Sequence, residues 1–488
     1  MLFNSWQFLL FLPAVACLYF ALPPRFRWVL LLGASYFFYM CWKPGYLVLI
    51  LVSTLVDYVA ALLLARTGSP FKRKSLLALS LLVNLGLLLF FKYFNFFNES
   101  LRQVFQYFSL SYDMPHADLL LPVGISFYTF QTLSYTIEVY RGSRRPERHL
   151  GYFALYVSYF PQLVAGPIER PGSLLPQLKQ QQDFDYARVA EGLGRIVWGM
   201  FKKVVIADRL GLLVDSVYAQ PGQFGGPALT VATVAFAFQV YCDFSGYSDI
   251  AIGAAQVMGH RLRENFDRPY LAGSIADFWR RWHISLSSWF RDYLYVPLGG
   301  SRVGVRRFCL NIMAVFILSG LWHGANWTFI AWGCLHGLYY LIGNGTRRYR
   351  QGVAQILGAT RFPRLSHAAG VAITFILVCF AWILFRADHF SDAVTVVVRL
   401  GSGWADLWTR SGFETWLRSF NVGEKEIWRG FVLTGLLIVI EYVQGPMALT
   451  ASVARWNRPA RWAVYLVLVL LILNLGVTKQ MPFVYFQF

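Results

Sequence analysis

Apolar residues run along this chain in long blocks rather than in strict alternation. A helix needs ~20 apolar residues to cross a bilayer, within a range of about 17–25. Runs at 28–42, 47–65, 75–91, 310–330, 368–385, 431–443 and 462–477 meet or approach that length. Runs at 119–140, 151–165, 196–217 and 228–258 are punctuated by Gly, Pro or acidic residues. Such punctuation predicts broken or re-entrant helices, which lipid tolerates only where other protein covers the backbone. The pattern therefore predicts an all-α integral membrane protein. A first apolar run, 8–22, is followed by Pro23-Pro24-Arg25-Phe26-Arg27. Its positive charge comes after the apolar segment, the reverse of a signal peptide, and predicts a retained helix.

Composition sharpens this picture. The 488 residues are 57% hydrophobic and only 14% charged, against about 25% charged in an ordinary soluble protein. The net charge of +19 would suggest nucleic acid in a soluble chain. Here the cations cluster in short loops between apolar runs, at 25–27, 66–74, 141–148, 347–364 and 455–461. Positive loops face the cytoplasm, so both termini are expected in the periplasm and no nucleic-acid partner is expected. The cysteines, Cys17, Cys41, Cys242, Cys309, Cys334 and Cys379, lie in or beside apolar stretches without a CxxC pair. That spacing predicts neither a disulfide framework nor a metal site.

Two stretches hold candidate chemistry. In DFWRRWHISLSSWFRDYLY, 277–295, Trp279, Trp282, His283, Leu286, Trp289 and Phe290 recur at helical spacing, with Arg280, Arg281 and Arg291 largely elsewhere on the wheel. This predicts one amphipathic interfacial helix. Its arginines either anchor the helix at the interface or hold the phosphates of an anionic donor. In GLWHGANW, 320–327, His323 closes an apolar run and stands between glycines. An ionisable residue in a membrane segment is a functional candidate by default. A neutral imidazole suits a general base acting on a hydroxyl; a hydrogen bond between helices is the structural alternative. For His336 the structural hydrogen bond is the expected role. Asp243, Asp249, Glu138 and Glu441 are expected to pair with polar groups on neighbouring helices. The closing segment 481–488 reads as an aromatic interfacial belt in which Tyr485 is the one hydroxyl.

A chain-long set of motifs resembles the membrane-bound O-acyltransferase (MBOAT) family, in particular its alginate O-acetyltransferase branch. These are LPVGISFYTFQTLSYTIEVYRG (121–142), YFPQLVAGPIER (159–170), FKKVVIADRL (201–210), YCDFSGYSDIAIG (241–253) and ENFDRPYLAGSIADFWRRWHISLSSWFRDYLYVPLGG (264–300), with Trp322-His323-Gly324 and the closing FVYFQF. The resemblance implies a single membrane domain, 1–488, with N-terminal helices (1–118), a motif-bearing core (119–345) and C-terminal helices with a periplasmic tail (346–488). It implies a ring of about 11–12 transmembrane helices around a thinned core with re-entrant and interfacial helices. By the same resemblance His323 matches the catalytic histidine and His283 a second polar position. Tyr485 becomes a candidate acetyl relay, and Arg280, Arg281, Arg291 and Trp282 become candidate donor contacts.

The implied reaction moves an acetyl group from acetyl-CoA, or from an acyl-carrier donor, to a hydroxyl outside the bacterial inner membrane. The implied partner is a periplasmic acetyltransferase that decorates an exopolysaccharide. Alginate is the first choice, with cellulose and peptidoglycan as alternatives. A transporter, or a scaffold for a secreted acetyltransferase, is the reading from another class.

Overall fold

A computed structural model describes residues 1–117, 120–356, 361–420, 422–444, 452–453, 455–477 and 481–484. The described residues form helices joined by turns and loops, with no strand among them. Six helices are long and apolar enough to cross a membrane: Pro44–Arg66, Pro70–Tyr107, Gly226–Val257, Val305–His323, Pro363–Arg386 and Arg458–Leu475. The expected all-α membrane fold is thus the observed one. Proline opens several of these helices at the first turn, where its missing N–H costs nothing; Pro70 and Pro363 are examples.

The chain divides into two compact units. One comprises Met1–Ile196 with Ser248–Arg263, the other Val197–Tyr247 with Glu264–Phe488. In the first, Leu47–Arg66, Pro70–Leu88 and Ile125–Tyr140 pack together around Asp57, which is fully buried. Its carboxylate accepts hydrogen bonds from Ser80 Oγ, from Asn84 Nδ2 at 2.9 Å and from Thr136 Oγ1 at 2.9 Å. Away from water a carboxylate needs such donors, and the two neighbouring helices supply them. In the second unit the core is aromatic. Trp282, Trp332 and Trp382 are all fully buried. The Trp332 and Trp382 rings lie 5.8 Å apart at 20°, and Trp282 meets Trp382 at 5.1 Å.

Three segments depart from the sequence expectation. The run 310–330 is two helices, because Val305–His323 stops at extended Gly324 and Asn326 caps Trp327–Gly345 through the Thr328 N–H, 3.1 Å. The segment 277–295 is not one helix either. His283 takes left-handed backbone angles, φ 43° and ψ 55°, and separates Ile275–Arg281 from Ile284–Phe290. Finally, the punctuated run 228–258 is one unbroken helix, Gly226–Val257, whereas 196–217 is interrupted as expected, by a π-helical turn, Phe201–Ala207, between Tyr186–Met200 and Asp208–Tyr218. Single π turns are frequent at functional sites.

Candidate active site

His323 is placed by a close helix pair. Val305–His323 runs against Trp327–Gly345, and at the crossing each helix presents a glycine to the other's backbone. A Cβ on Gly320 would overlap the Phe329 carbonyl, and one on Gly333 the Phe316 carbonyl. Small residues allow this approach, as is general for helices packed in a membrane. The contact fixes the end of the first helix, and His323 is its last residue. The imidazole is 2% exposed. Rings of Trp322, Trp332 and Phe385 surround it at 5.0, 5.1 and 5.5 Å.

His283 arrives from the broken helix. A non-glycine residue in the left-handed region is disfavoured by roughly 1–2 kcal/mol, so the surroundings must hold it there. They do so on both sides. The Trp282 N–H donates to the Phe278 carbonyl at 2.8 Å, and the Ile284 N–H donates to the Asn265 carbonyl at 2.9 Å. Ser285 Oγ adds a 2.6 Å bond to Asn265 Oδ1. The result swings His283 toward the glycine-packed pair: the centroids of the His283 and His323 rings are 6.3 Å apart. Phe244 meets His283 edge-on at 4.6 Å. His283 lies outside the six spans, and burial pulls its imidazole down to about 3, which keeps it neutral. Such strained backbone tends to be retained where geometry serves function.

A cavity of about 360 Å³ lies on the same helices; neither histidine lines it, but Ile284, the residue after His283, and Ser319 do, and its volume is within the usual range for a ligand site of about 300–1,000 Å³. Arg280, Arg291 and Tyr295 line it, and so do Trp279, Tyr340 and Ser319. Ser319 is one helical turn before His323, so the cavity wall and the imidazole share a helix.

Residues 143–385 match the family model described as MBOAT, membrane-bound O-acyltransferase family. The chain is 41% identical over 396 residues to the probable alginate O-acetylase AlgI of Pseudomonas aeruginosa, covering 80% of this chain and 73% of that one. To the peptidoglycan O-acetyltransferase of Helicobacter pylori it is 35% identical over 433 residues, 81% and 79% of the two chains. A teichoic acid D-alanyltransferase of Streptococcus thermophilus is 29% identical over 286 residues, 55% and 68%. This chain belongs to the membrane-bound O-acyltransferase family. It is a multi-pass membrane enzyme that transfers an acyl group from a donor to oxygen.

Within this acyltransferase the remaining candidate residues fall in different places. Of the arginines, Arg280 and Arg291 line the cavity while pairing with Asp277 at 3.3 Å and Asp292 at 2.8 Å, and Arg281 pairs with Asp277 at 3.0 Å away from it. Trp282 is buried among rings, stacked on Phe278 at 5.4 Å and 19°. His336 accepts a 3.2 Å hydrogen bond from Trp279 Nε1, the structural role expected of it. Asp249, Glu441 and Asp243 meet partners on other elements, as expected, and Glu138 meets an arginine in the loop after its own helix. Asp249 meets Arg195 at 2.9 Å, Glu138 meets Arg144 at 3.2 Å, and Glu441 accepts from the Tyr241 hydroxyl. Asp243 meets Lys203 at 2.5 Å.

Tyr485 lies outside the described residues. The residues just before it do not: Phe483 stacks on Tyr247 at 4.8 Å and meets Phe244 at 5.6 Å, the same Phe244 that touches His283. Sequence reasoning missed this seating, and it missed Lys203. The signal available was a lysine inside an apolar run that also contributes two carboxylates to the same unit.

Proposed function

We propose that this acyltransferase takes an acetyl group from acetyl-CoA on the cytoplasmic side and delivers it to a hydroxyl facing the periplasm. The observation that carries the reading is the His283–His323 pair, set on the same helices as a cavity whose wall holds two guanidinium groups. Arg280 and Arg291 bind the donor's phosphates, a task for which planar, permanently charged forks are suited. His323 takes the proton of the attacking hydroxyl. The oxygen adds to the thioester carbonyl, the C–S bond breaks, and the proton passes to the departing thiolate. His283 stays neutral and steadies the charge that forms on His323. Arg281 and Trp282 serve by holding the shape of this segment.

Tyr485 is the first acceptor in this proposal. The Phe483 contacts with Tyr247 and Phe244 support it, because they bring the preceding residues to the ring beside His283. A thiol ionises near pKa 8.5 and a phenol near 10, so transfer from thioester to aryl ester is close to balanced. Onward transfer to a sugar hydroxyl then runs downhill. A periplasmic acetyltransferase collects the group and sets the polymer. Alginate is the first choice, in keeping with the similarity to alginate O-acetylases; peptidoglycan and cellulose are the alternatives. The basic loops support an inner-membrane topology with both termini periplasmic.

The test is acetyl transfer by purified full-length protein in nanodiscs, with Tyr485→Phe. The expected result is loss of acetylated protein and of transfer onward. Full onward transfer by Tyr485→Phe would remove the relay. Acetyl flux without thioester cleavage would favour a transporter instead.

A further inference from the structure

The second unit buries a charged triad that the reaction does not use. Lys203 Nζ lies 2.8 Å from Asp208 and 2.5 Å from Asp243, and these side chains are 5, 3 and 1% exposed. Taking charges out of water costs several kcal/mol per ion, and a hydrophobic set is often as stable. A triad in such a place needs a purpose beyond stability. Its outward side supplies one: Asp243 Oδ2 accepts the backbone N–H of Val484 at 2.7 Å. The small cavity there is lined by Lys203, Asp208 and Asp243 together with Met481, Pro482 and Val484.

The same π-helical turn grips the closing segment at its start. The Val477 N–H donates to the Val204 carbonyl at 3.0 Å, and Arg209 donates to the Leu475 carbonyl. Segment 201–209 thus holds the chain where it leaves the last helix, and Asp243 holds it again at Val484. Between Val484 and the histidines stand Phe483, Phe244 and His283 in contact.

We propose that Lys203 and Asp243 are positioning residues: a buried clamp that holds the Val484 amide, and with it the Phe483 ring against Tyr247 and the Phe244 that touches His283. Lys203 fixes the Asp243 carboxylate, and Asp243 fixes the segment. Asp208 accepts a second N–H of the Lys203 ammonium. This rests on the relay proposed for Tyr485, yet the clamp itself is measured without it.

The experiment is hydrogen exchange at the Val484 amide, read by mass spectrometry on full-length protein in nanodiscs. The wild-type amide exchanges slowly. Asp243→Ala and Lys203→Ala each speed its exchange by about 100-fold, the loss of a buried hydrogen bond. Val484→Ala keeps the N–H and keeps protection. Because the core variants risk misfolding, Val484→Pro is the second probe. It removes the donor and leaves the triad intact. Its unfolding midpoint falls no further than the loss of one buried hydrogen bond requires, while kcat per folded molecule falls at least about ten-fold, with KM for acetyl-CoA unchanged. Fast exchange in the wild type, or protection retained in folded Asp243→Ala, overturns the clamp. So does wild-type kcat in Val484→Pro when Tyr485→Phe is inactive. If Tyr485→Phe is fully active while Asp243→Ala loses protection, the clamp stands and the relay falls.

Discussion

Each compact unit buries a polar cluster among apolar helices, and the two clusters are built on opposite principles. Around Asp57 every contact is a hydrogen bond: Ser80, Asn84 and Thr136 donate, and Thr132 Oγ1 donates to Asn84 Oδ1 at 3.2 Å. Side chains from two helices close on the carboxylate of a third. Around His283 and His323 the close neighbours are ring faces and edges, from Phe244, Trp322, Trp332 and Phe385. A cavity begins one turn from His323, and left-handed backbone holds His283 in place. A membrane-buried polar residue is a functional candidate by default, but the contrast refines that rule. Where the protein fully satisfies the group, the group is a rivet between helices. Aromatic walls, a nearby cavity and local strain are what single out His283 and His323 as candidates for chemistry.

The largest effect expected from this contrast is on His323. His323→Ala should cut acetyl transfer by about 10²–10⁴-fold, the usual worth of a positioned general base, with an unchanged unfolding midpoint. Next comes the glycine crossing. Gly320→Ala must push the Phe329 carbonyl away, costing ~1–3 kcal/mol of stability and displacing His323, so thermal stability and turnover should fall together. Asp57→Ala should do the reverse of His323→Ala. It leaves buried donors without their acceptor, at about 1–3 kcal/mol for each group stranded, and lowers the unfolding midpoint while turnover per folded molecule holds. Smaller again, Arg280→Ala and Arg291→Ala should each raise KM for acetyl-CoA about ten-fold at similar kcat, as loss of a charge-assisted contact does.

A separate effect concerns pH and is read on stability alone. His283 titrates near 3 in the folded protein because burial disfavours its charged form; unfolded, it titrates at about 6.5. The unfolded chain therefore binds more protons between these values, and stability rises with pH through that window. His283→Gln should flatten this part of the stability–pH curve, read by chemical unfolding at pH 4 to 7.

The sequence revealed helices well and junctions poorly, for physical reasons. Long apolar runs such as Pro363–Arg386 declare themselves, because lipid demands length and hydropathy. The stop at Gly324 is hidden in a continuing apolar pattern, and only the Asn326 cap marks a new start. The break at His283 is hidden more deeply, since helical spacing continues through it. The bonds that enforce it come from Asn265, which precedes the helix. His323 was legible because a histidine between glycines in a membrane run is conspicuous. The seating of Phe483 and Val484 was not, because an aromatic terminus reads equally well as an interfacial belt. Asp243 and Lys203 are forty residues apart, and only the fold joins them.

The most direct measurement is single-turnover cleavage of acetyl-CoA by the full-length protein in nanodiscs, comparing His323→Gln with His336→Gln per folded molecule. His336 lies in the same unit and is engaged by Trp279. The account predicts that His323→Gln slows cleavage at least about 100-fold while His336→Gln stays near the wild-type rate. Equal rates for the two variants would contradict it.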